Sequence, residues 1–209
     1  MTEAAAAEIG EAAQALLDAD AAAAEALAPY SGSLPIRMLE PVADLGDQPQ
    51  MRMLCGAVVV AGLAMRDRRL AETGLKMLAA HTLATWTKDF VKRRVDRTRP
   101  RSMDKPGKDH VPSPGRSSHK EETSFPSGHS AGAAAVARAF ARAYPAQAGA
   151  AHAAGALLSL AQIPRCAHYP TDVGAGVAIG AVSEAVTEAA WEAAKNLVYG
   201  RNTSLKAVT

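Results

Sequence analysis

Three short clusters in this chain carry residue types suited to phosphoryl chemistry. Lys92 is followed by Arg99-Pro100, then comes Pro126-Ser127-Gly128-His129, and last His168 followed by Asp172. Lys92 and Arg99 are cations that can clamp phosphoryl oxygens, the arginine through a planar fork of donors. Ser127 is a good helix N-cap, and Pro126 suits a helix entrance. Free amides at such an end, with the positive end of the helix dipole, bind an anion. Gly128 lets the backbone approach a ligand closely. His129, facing the same anion, can donate a proton to a leaving oxygen. Asp172 can bond one ring nitrogen of His168, fix the tautomer and leave the other nitrogen nucleophilic. Together these groups suit phosphoryl transfer without a metal, a reaction that needs mainly positioning and charge stabilisation.

Each cluster alone has a plainer reading. Residues 92–99 are a basic run, and most such runs are solvated faces or polyanion contacts. Ser127 and Gly128 also fit an ordinary capped helix start. His168 fits a surface histidine beside an N-cap aspartate, since Asp172 precedes a helical stretch. The argument for a site rests on the three occurring together and in order.

The elements that must position them read as helices. Residues 3–28 form an acidic, alanine-rich helix that Pro29, Gly32 and Pro35 end. A linker and a short element run to about Gln50. Apolar residues 51–65 form the next helix, closed by Arg66-Asp67-Arg68-Arg69. Residues 70–96 form the helix that delivers Lys92, and Arg99-Pro100 is expected to stop it. Residues 101–125, with Pro106, Gly107, Pro112, Pro114 and Gly115, read as a long polar loop. It fits either a mobile lid at a substrate entrance or a disordered tether. Helices follow at 129–143, 146–163 and 173–198. With no strand alternation and no repeat, the fold is expected to be all-α: a single bundle of about six helices. Residues 1–35 are taken as an N-terminal acidic helix and linker, and 36–209 as the bundle domain.

The chain has 209 residues, a net charge of +2 and only 4% aromatics, so no strong field draws a polyanion and no nucleic acid partner is expected. Cys55 and Cys166 are too few for a disulfide framework and read as packing residues. His81, His110, His119 and His152 are scattered, no metal-ligand spacing stands out, and no cofactor is expected. The acidic N-terminus lacks the basic start and apolar core of a secretory signal.

In its three motifs the chain resembles the type 2 phosphatidic acid phosphatase superfamily, which also holds bacterial acid phosphatases and vanadium haloperoxidases. The family pattern is Lys, six residues, Arg-Pro; then Pro-Ser-Gly-His; then Ser-Arg, five residues, His, three residues, Asp. Lys92, Arg99 and Pro100 meet the first part, Pro126 to His129 the second, and His168 and Asp172 the third. The resemblance covers about residues 37 to 194. It implies that His168 attacks phosphorus to form a phosphohistidine, Asp172 orients it, and His129 protonates the leaving group. It also implies that Lys92, Arg99, Ser127 and the Gly128 amide hold the phosphoryl oxygens until water releases phosphate.

The front half of the third motif departs from the family, with Ala161 and Gln162 in place of Ser-Arg. Glutamine keeps donors but loses the charge. A lost charge-assisted bond to a transition-state oxyanion costs about 2–4 kcal/mol. Arg165 lies three residues on and is the candidate replacement. Pro164 interrupts the local pattern, so Arg165 also fits a surface or salt-bridged residue.

The implied activity is a metal-independent phosphatase on a phosphomonoester or diphosphate of a lipid or polyprenyl alcohol. The alternatives are a soluble acid phosphatase on small phosphoesters, and a non-catalytic phosphate-head-group binder with a degenerate third motif. A haloperoxidase would use the same oxyanion cradle, but this chain is short for that branch. Family resemblance favours association with the cytoplasmic membrane, whereas a mean hydropathy of -0.05 favours water. The stripe Glu184, Glu188 and Glu192 fits either a soluble amphipathic helix or a polar face turned into a bundle.

Overall fold

Small side chains decide how closely these helices meet. The computed structural model describes residues 3–103 and 110–206, and the described chain is an all-α bundle with very little strand. Helix α1 (Glu3–Leu27) is followed by two short helices, α2 (Leu34–Met38) and α3 (Glu40–Asp44). Then come α4 (Gln48–Ala64), α5 (Arg68–Lys92), α6 (Gly128–Ala143), α7 (Ala148–Leu160) and α8 (Pro170–Lys206). All six expected helices are present, and the short element expected before Gln50 is the pair α2 and α3.

Helix α6 lies at the centre, packed on α5, α7 and α8. Its buried face is mostly alanine: Ala131, Ala133, Ala135 and Ala139 are each at most 5% exposed. Met51 and Cys55 of α4 and Met77 of α5 complete one core cluster with Ala133, Val136 and Ala139. Ala80 and Ala84 of α5 meet Ala131 and Ala135 in a second. Helix α8 crosses α6 on glycines. A Cβ on Gly176 would lie 2.4 Å from the Ser127 carbonyl oxygen, and one on Gly180 2.4 Å from that of Ala131. Only glycine permits that approach, and it lays the start of α8 directly on the start of α6.

The glutamate stripe of α8 turns inward. Glu184 is 2% exposed and pairs with Arg142 at 2.6 Å and Arg138 at 3.3 Å, both on α6. Glu188 pairs with Lys76 of α5 at 2.9 Å. Of the two readings of that stripe, the structure takes the bundle-facing one for Glu184 and Glu188.

Helix α5 is capped by Asp67, whose carboxylate accepts from the Leu70 amide at 3.0 Å. It ends at Lys92, four residues short of the expected end, so Pro100 does not terminate it. The backbone instead enters a two-residue strand β1 (Val95–Asp96), antiparallel to β2 (Ser113–Pro114). Pairing with the following loop takes the hydrogen bonds that a longer helix would have used. A two-residue ladder is too short to leave an alternation in the sequence.

The described flanks of the long loop are tied down rather than tethered. Arg97 and Arg99 amides donate to the carbonyls of Glu122 and Glu121, each at 2.8 Å. Glu121 also accepts from Arg101 at 2.7 Å and from Ser102 at 2.6 Å. The middle of the expected loop, 104–109 with Pro106 and Gly107, lies outside the described residues.

Candidate active site

The third cluster forms where α7 gives way to α8. Cys166 adopts a left-handed backbone with φ 50°, a costly conformation that turns the chain sharply before Ala167 and His168. Asp172 stands at the third position of α8, and its Oδ2 accepts the Tyr169 amide at 2.9 Å, as in a capping box. The same Oδ2 lies 3.5 Å from Nδ1 of His168. Ser124 donates its hydroxyl to Asp172 and sits 3.5 Å from His168 Nδ1. His168 Nε2 lies 3.4 Å from an Arg99 guanidinium nitrogen. One ring nitrogen therefore faces a carboxylate and the other a cation.

His168 is 3% exposed and Asp172 is fully buried. Burial pushes the imidazole down to about 4; the hydrogen bond to Asp172 opposes this, and the charges of Arg99 and Lys92 reinforce it. Burial alone would raise the Asp172 carboxyl. The hydrogen bond with His168 and the charge of Arg97 outweigh burial and hold it at about 2. At neutral pH the pair is a neutral imidazole beside a carboxylate.

The first cluster supplies the cations. Arg99 donates to the carbonyl oxygens of Lys120 and Ala167 at 2.8 and 2.9 Å, which fixes its fork next to His168. Lys92 donates to the Thr123 carbonyl. Burial, with Arg99 and Lys88 nearby, lowers its ammonium to about 7.

The second cluster opens α6. Ser127 caps the helix, accepting from the Ser130 amide at 3.3 Å and the Ser130 hydroxyl at 2.9 Å. Its own amide donates to the Asp172 carbonyl at 3.0 Å, which ties the starts of α6 and α8 together. His129 Nε2 lies 2.9 Å from Asp47 Oδ1. Burial lowers the His129 pKa, Asp47 opposes that, and Arg165 and Arg99 reinforce it.

These groups surround one cavity of about 240 Å³. Lys92, Arg99, Gly128, His129, Gln162, Arg165 and His168 all line it. Two of the expected site residues do not: Ser127, fully buried as a cap, and Asp172, behind His168. Gln162 is 1% exposed, and its amide nitrogen donates back to the Leu158 carbonyl at 3.3 Å. Arg165 faces the cavity, 3.5 Å from Asp44. The direction left open by Pro164 is thus inward, with an acidic partner on the rim.

Four contributors were not singled out by sequence reasoning. Lys88 lines the cavity, pairs with Asp89, and would sit 3.3 Å from a Cβ on Gly128. It lies one helical turn before Lys92, so the i, i+4 spacing was a usable signal. Arg97 is 1% exposed within what could be read as a solvated basic run. Ser124 and Asp47 carry no local pattern. Asp47 lies 82 residues from His129 in the chain, a contact that no spacing rule reaches. Among the described residues, no group of three or more His, Cys, Asp or Glu could hold a metal ion.

Residues 73–194 match the PAP2 superfamily. The fold is similar to that of the first transmembrane PAP2-type phosphatidylglycerolphosphate phosphatase from Bacillus subtilis, at 21% identity and a TM-score of 0.59. That alignment covers 85% of this chain and 87% of the other. LpxE from Aquifex aeolicus is also similar, at 18% identity and a TM-score of 0.54, over 78% of this chain and 91% of the other. No curated protein matches the sequence significantly.

Proposed function

The chain belongs to the PAP2 superfamily and is a phosphoric ester hydrolase, and from that premise we propose that it hydrolyses a lipid phosphomonoester or diphosphate through a phosphohistidine. The observation that carries this reading is the disposition of His168: Nδ1 is 3.5 Å from Asp172, and Nε2 lies beside Arg99 in the cavity wall. In the first step Nε2 attacks phosphorus, the P–N bond forms, and the bond to the leaving oxygen breaks. His129 gives that oxygen its proton. Asp172 holds the Nδ1 proton and stabilises the positive charge that grows on the ring. Lys92, Arg99 and the free amides at the start of α6 hold the equatorial oxygens. Water then attacks phosphorus, His129 takes its proton, and the P–N bond breaks to free His168. Ser127 serves by capping α6 and anchoring it to α8. The charges come from side chains, so no metal is required in this scheme.

A lipid substrate is supported by a second, apolar cavity of about 260 Å³ between α4, α6 and α7. Gln48 and His129 line the polar cavity, and Met51 and Ala133, one turn along α4 and α6, line the apolar one; Gln162, just past the end of α7, lines the first and Leu158 of α7 the second. A phosphate head at His168 could thus extend an apolar tail along the same three helices. Trp86, Phe90, Val60 and Leu63 are more than half exposed on the bundle exterior. Helix α8 over Pro170–Val198 is long and apolar enough to cross a membrane by length and composition. These features support membrane association, and the cytoplasmic membrane is the location we propose.

The test is phosphate release from phosphatidic acid, a polyprenyl diphosphate and phenyl phosphate, with acid-labile label mapped after quenching. Label on His168 is expected, with turnover highest on a lipid. Turnover highest on phenyl phosphate would favour the small-ester alternative. No turnover with retained vanadate binding would identify a head-group binder.

A further inference from the structure

Behind the proposed nucleophile lies a buried chain of charges that reaches the N-terminal helix. Arg97 donates to Asp172 Oδ1 at 2.7 Å and, through its other terminal nitrogen, to Asp20 Oδ2 at 2.7 Å. The Arg97 side chain and Asp172 are fully buried, and Asp20 is 1% exposed. Asp20 belongs to α1, whose other faces are mostly exposed. Its Oδ1 accepts the Thr171 amide at 3.0 Å, and Thr171 also donates its hydroxyl to Asp20. The Arg97 guanidinium stacks 4.0 Å over the Tyr169 ring and donates to the His110 carbonyl at 2.7 Å. The two links of Arg97 to Asp172 and Asp20 are fully buried, where charges interact strongly and an orphan is costly.

We propose that Asp20 is a positioning residue for the phosphatase reaction: it neutralises Arg97, so that Asp172 keeps its full negative pull on the Nδ1 proton of His168. The proposal rests on the reading of His168 as nucleophile. Without Asp20, Arg97 would direct an uncompensated positive charge at Asp172. The carboxylate would then favour the imidazolium less, and the ring would become less basic and less nucleophilic. Other charged groups face this pair. Arg99 and Lys92 lie towards His168, and His129, at the start of α6, lines the same cavity. Asp20 bonds to Arg97 and Thr171 rather than to Arg99 or Lys92, so its effect passes through Arg97.

The network also ties α1 to the bundle. Its buried aspartate gives the appendage a defined seat at the start of α8, beside Thr171. An N-terminal segment that reads from sequence as a separate acidic helix thereby becomes part of the catalytic framework.

The test uses the full chain and three variants: D20N, R97Q and the double variant D20N/R97Q. Ring nitrogen NMR reads the His168 pKa and tautomer with or without turnover. D20N should lower that pKa by roughly one unit, and R97Q should raise it by a similar amount. The double variant, which removes one charge of each sign and leaves the net charge beside Asp172 unchanged, should return close to wild type. In turnover, D20N should lower kcat by roughly tenfold to a hundredfold, the scale of an outer partner, with KM changed by less than about twofold. If one single variant does not fold, the other and the double variant still decide the sign. Unchanged His168 titration, or shifts of the same sign in D20N and R97Q, overturns the proposal. Opposite shifts in a protein that releases no phosphate would sink the nucleophile reading and leave the charge linkage standing.

Discussion

Asp47 Oδ1 lies 2.9 Å from Nε2 of His129, so the proposed general acid already has a carboxylate partner on the rim of the cavity. The partner acts in two directions. It favours the protonated ring that must supply the leaving oxygen, and it opposes the burial that lowers the pKa. Its charge also repels an incoming phosphate. D47N should therefore lower KM by a few-fold and lower kcat by about tenfold for an alkyl phosphate. A nitrophenyl phosphate, whose leaving oxygen needs no proton, should lose much less. Equal losses on both substrates would count against His129 as the acid.

The His168–Asp172 pair makes a sharper prediction. His168→Ala should abolish turnover. Asp172→Asn should stay folded and fall by roughly a thousandfold or more, because the wrong tautomer is then favoured. Rapid quenching should place acid-labile phosphate on His168. Label on His129, or full turnover with no label, would sink the assignment.

Much of this site was legible because its residues lie close along the chain. Ser127, Gly128 and His129 are consecutive, and His168 and Asp172 are one turn apart, so local rules place each set. The all-α bundle was legible for a similar reason, since alanine-rich stretches between prolines and charged closures leave few alternatives. What stayed hidden depends on tertiary approach. Gly176 and Gly180 carry no signal of which helix they admit. Arg97 sits in a run with the exposed Arg93 and Arg94, and only the fold separates the buried cation from its neighbours. The early end of α5 at Lys92 arises from pairing with residues some twenty positions ahead.

The pH profile of kcat/KM should be bell-shaped. His168 must be neutral to attack, and burial holds it at about 4, so activity should rise through that pH. Lys92 must be charged to hold phosphate, and burial with neighbouring cations brings it to about 7, so binding should weaken above that. Lys92→Arg keeps the charge at every pH used. On an alkyl phosphate the limb of His129, whose pKa burial lowers, comes first and should stay; on a nitrophenyl phosphate, whose leaving oxygen needs no proton, Lys92→Arg should extend the alkaline side. A nitrophenyl phosphate limb unmoved by Lys92→Arg would remove Lys92 from the phosphate site.

In the proposed scheme side-chain charge takes the place of a metal, so the enzyme should be indifferent to chelators. Exhaustive chelation should leave phosphate release unchanged. Orthovanadate, which mimics the five-coordinate transition state, should inhibit competitively. Activity lost on chelation and restored by a divalent ion would overturn the metal-free scheme.

The last prediction concerns the missing arginine of the third motif. Arg165 lines the cavity with its guanidinium 3.5 Å from Asp44, an exposed partner that holds it weakly. A phosphate entering the cavity offers a better acceptor than that carboxylate, so Arg165 can change partners when substrate binds. Gln162 has little room to play that part, because it is almost fully buried and donates back to the last turn of α7. Arg165→Ala should therefore lower kcat/KM about a hundredfold, the scale of one oxyanion contact. Gln162→Arg should help little, since it would press a longer side chain into a filled space and set two guanidinium groups against one ligand. Asp44→Asn should free Arg165 and lower KM, provided the arginine serves the substrate. A silent Arg165→Ala together with a more active Gln162→Arg would reverse the assignment, and would mean that the site works without a replacement for that charge.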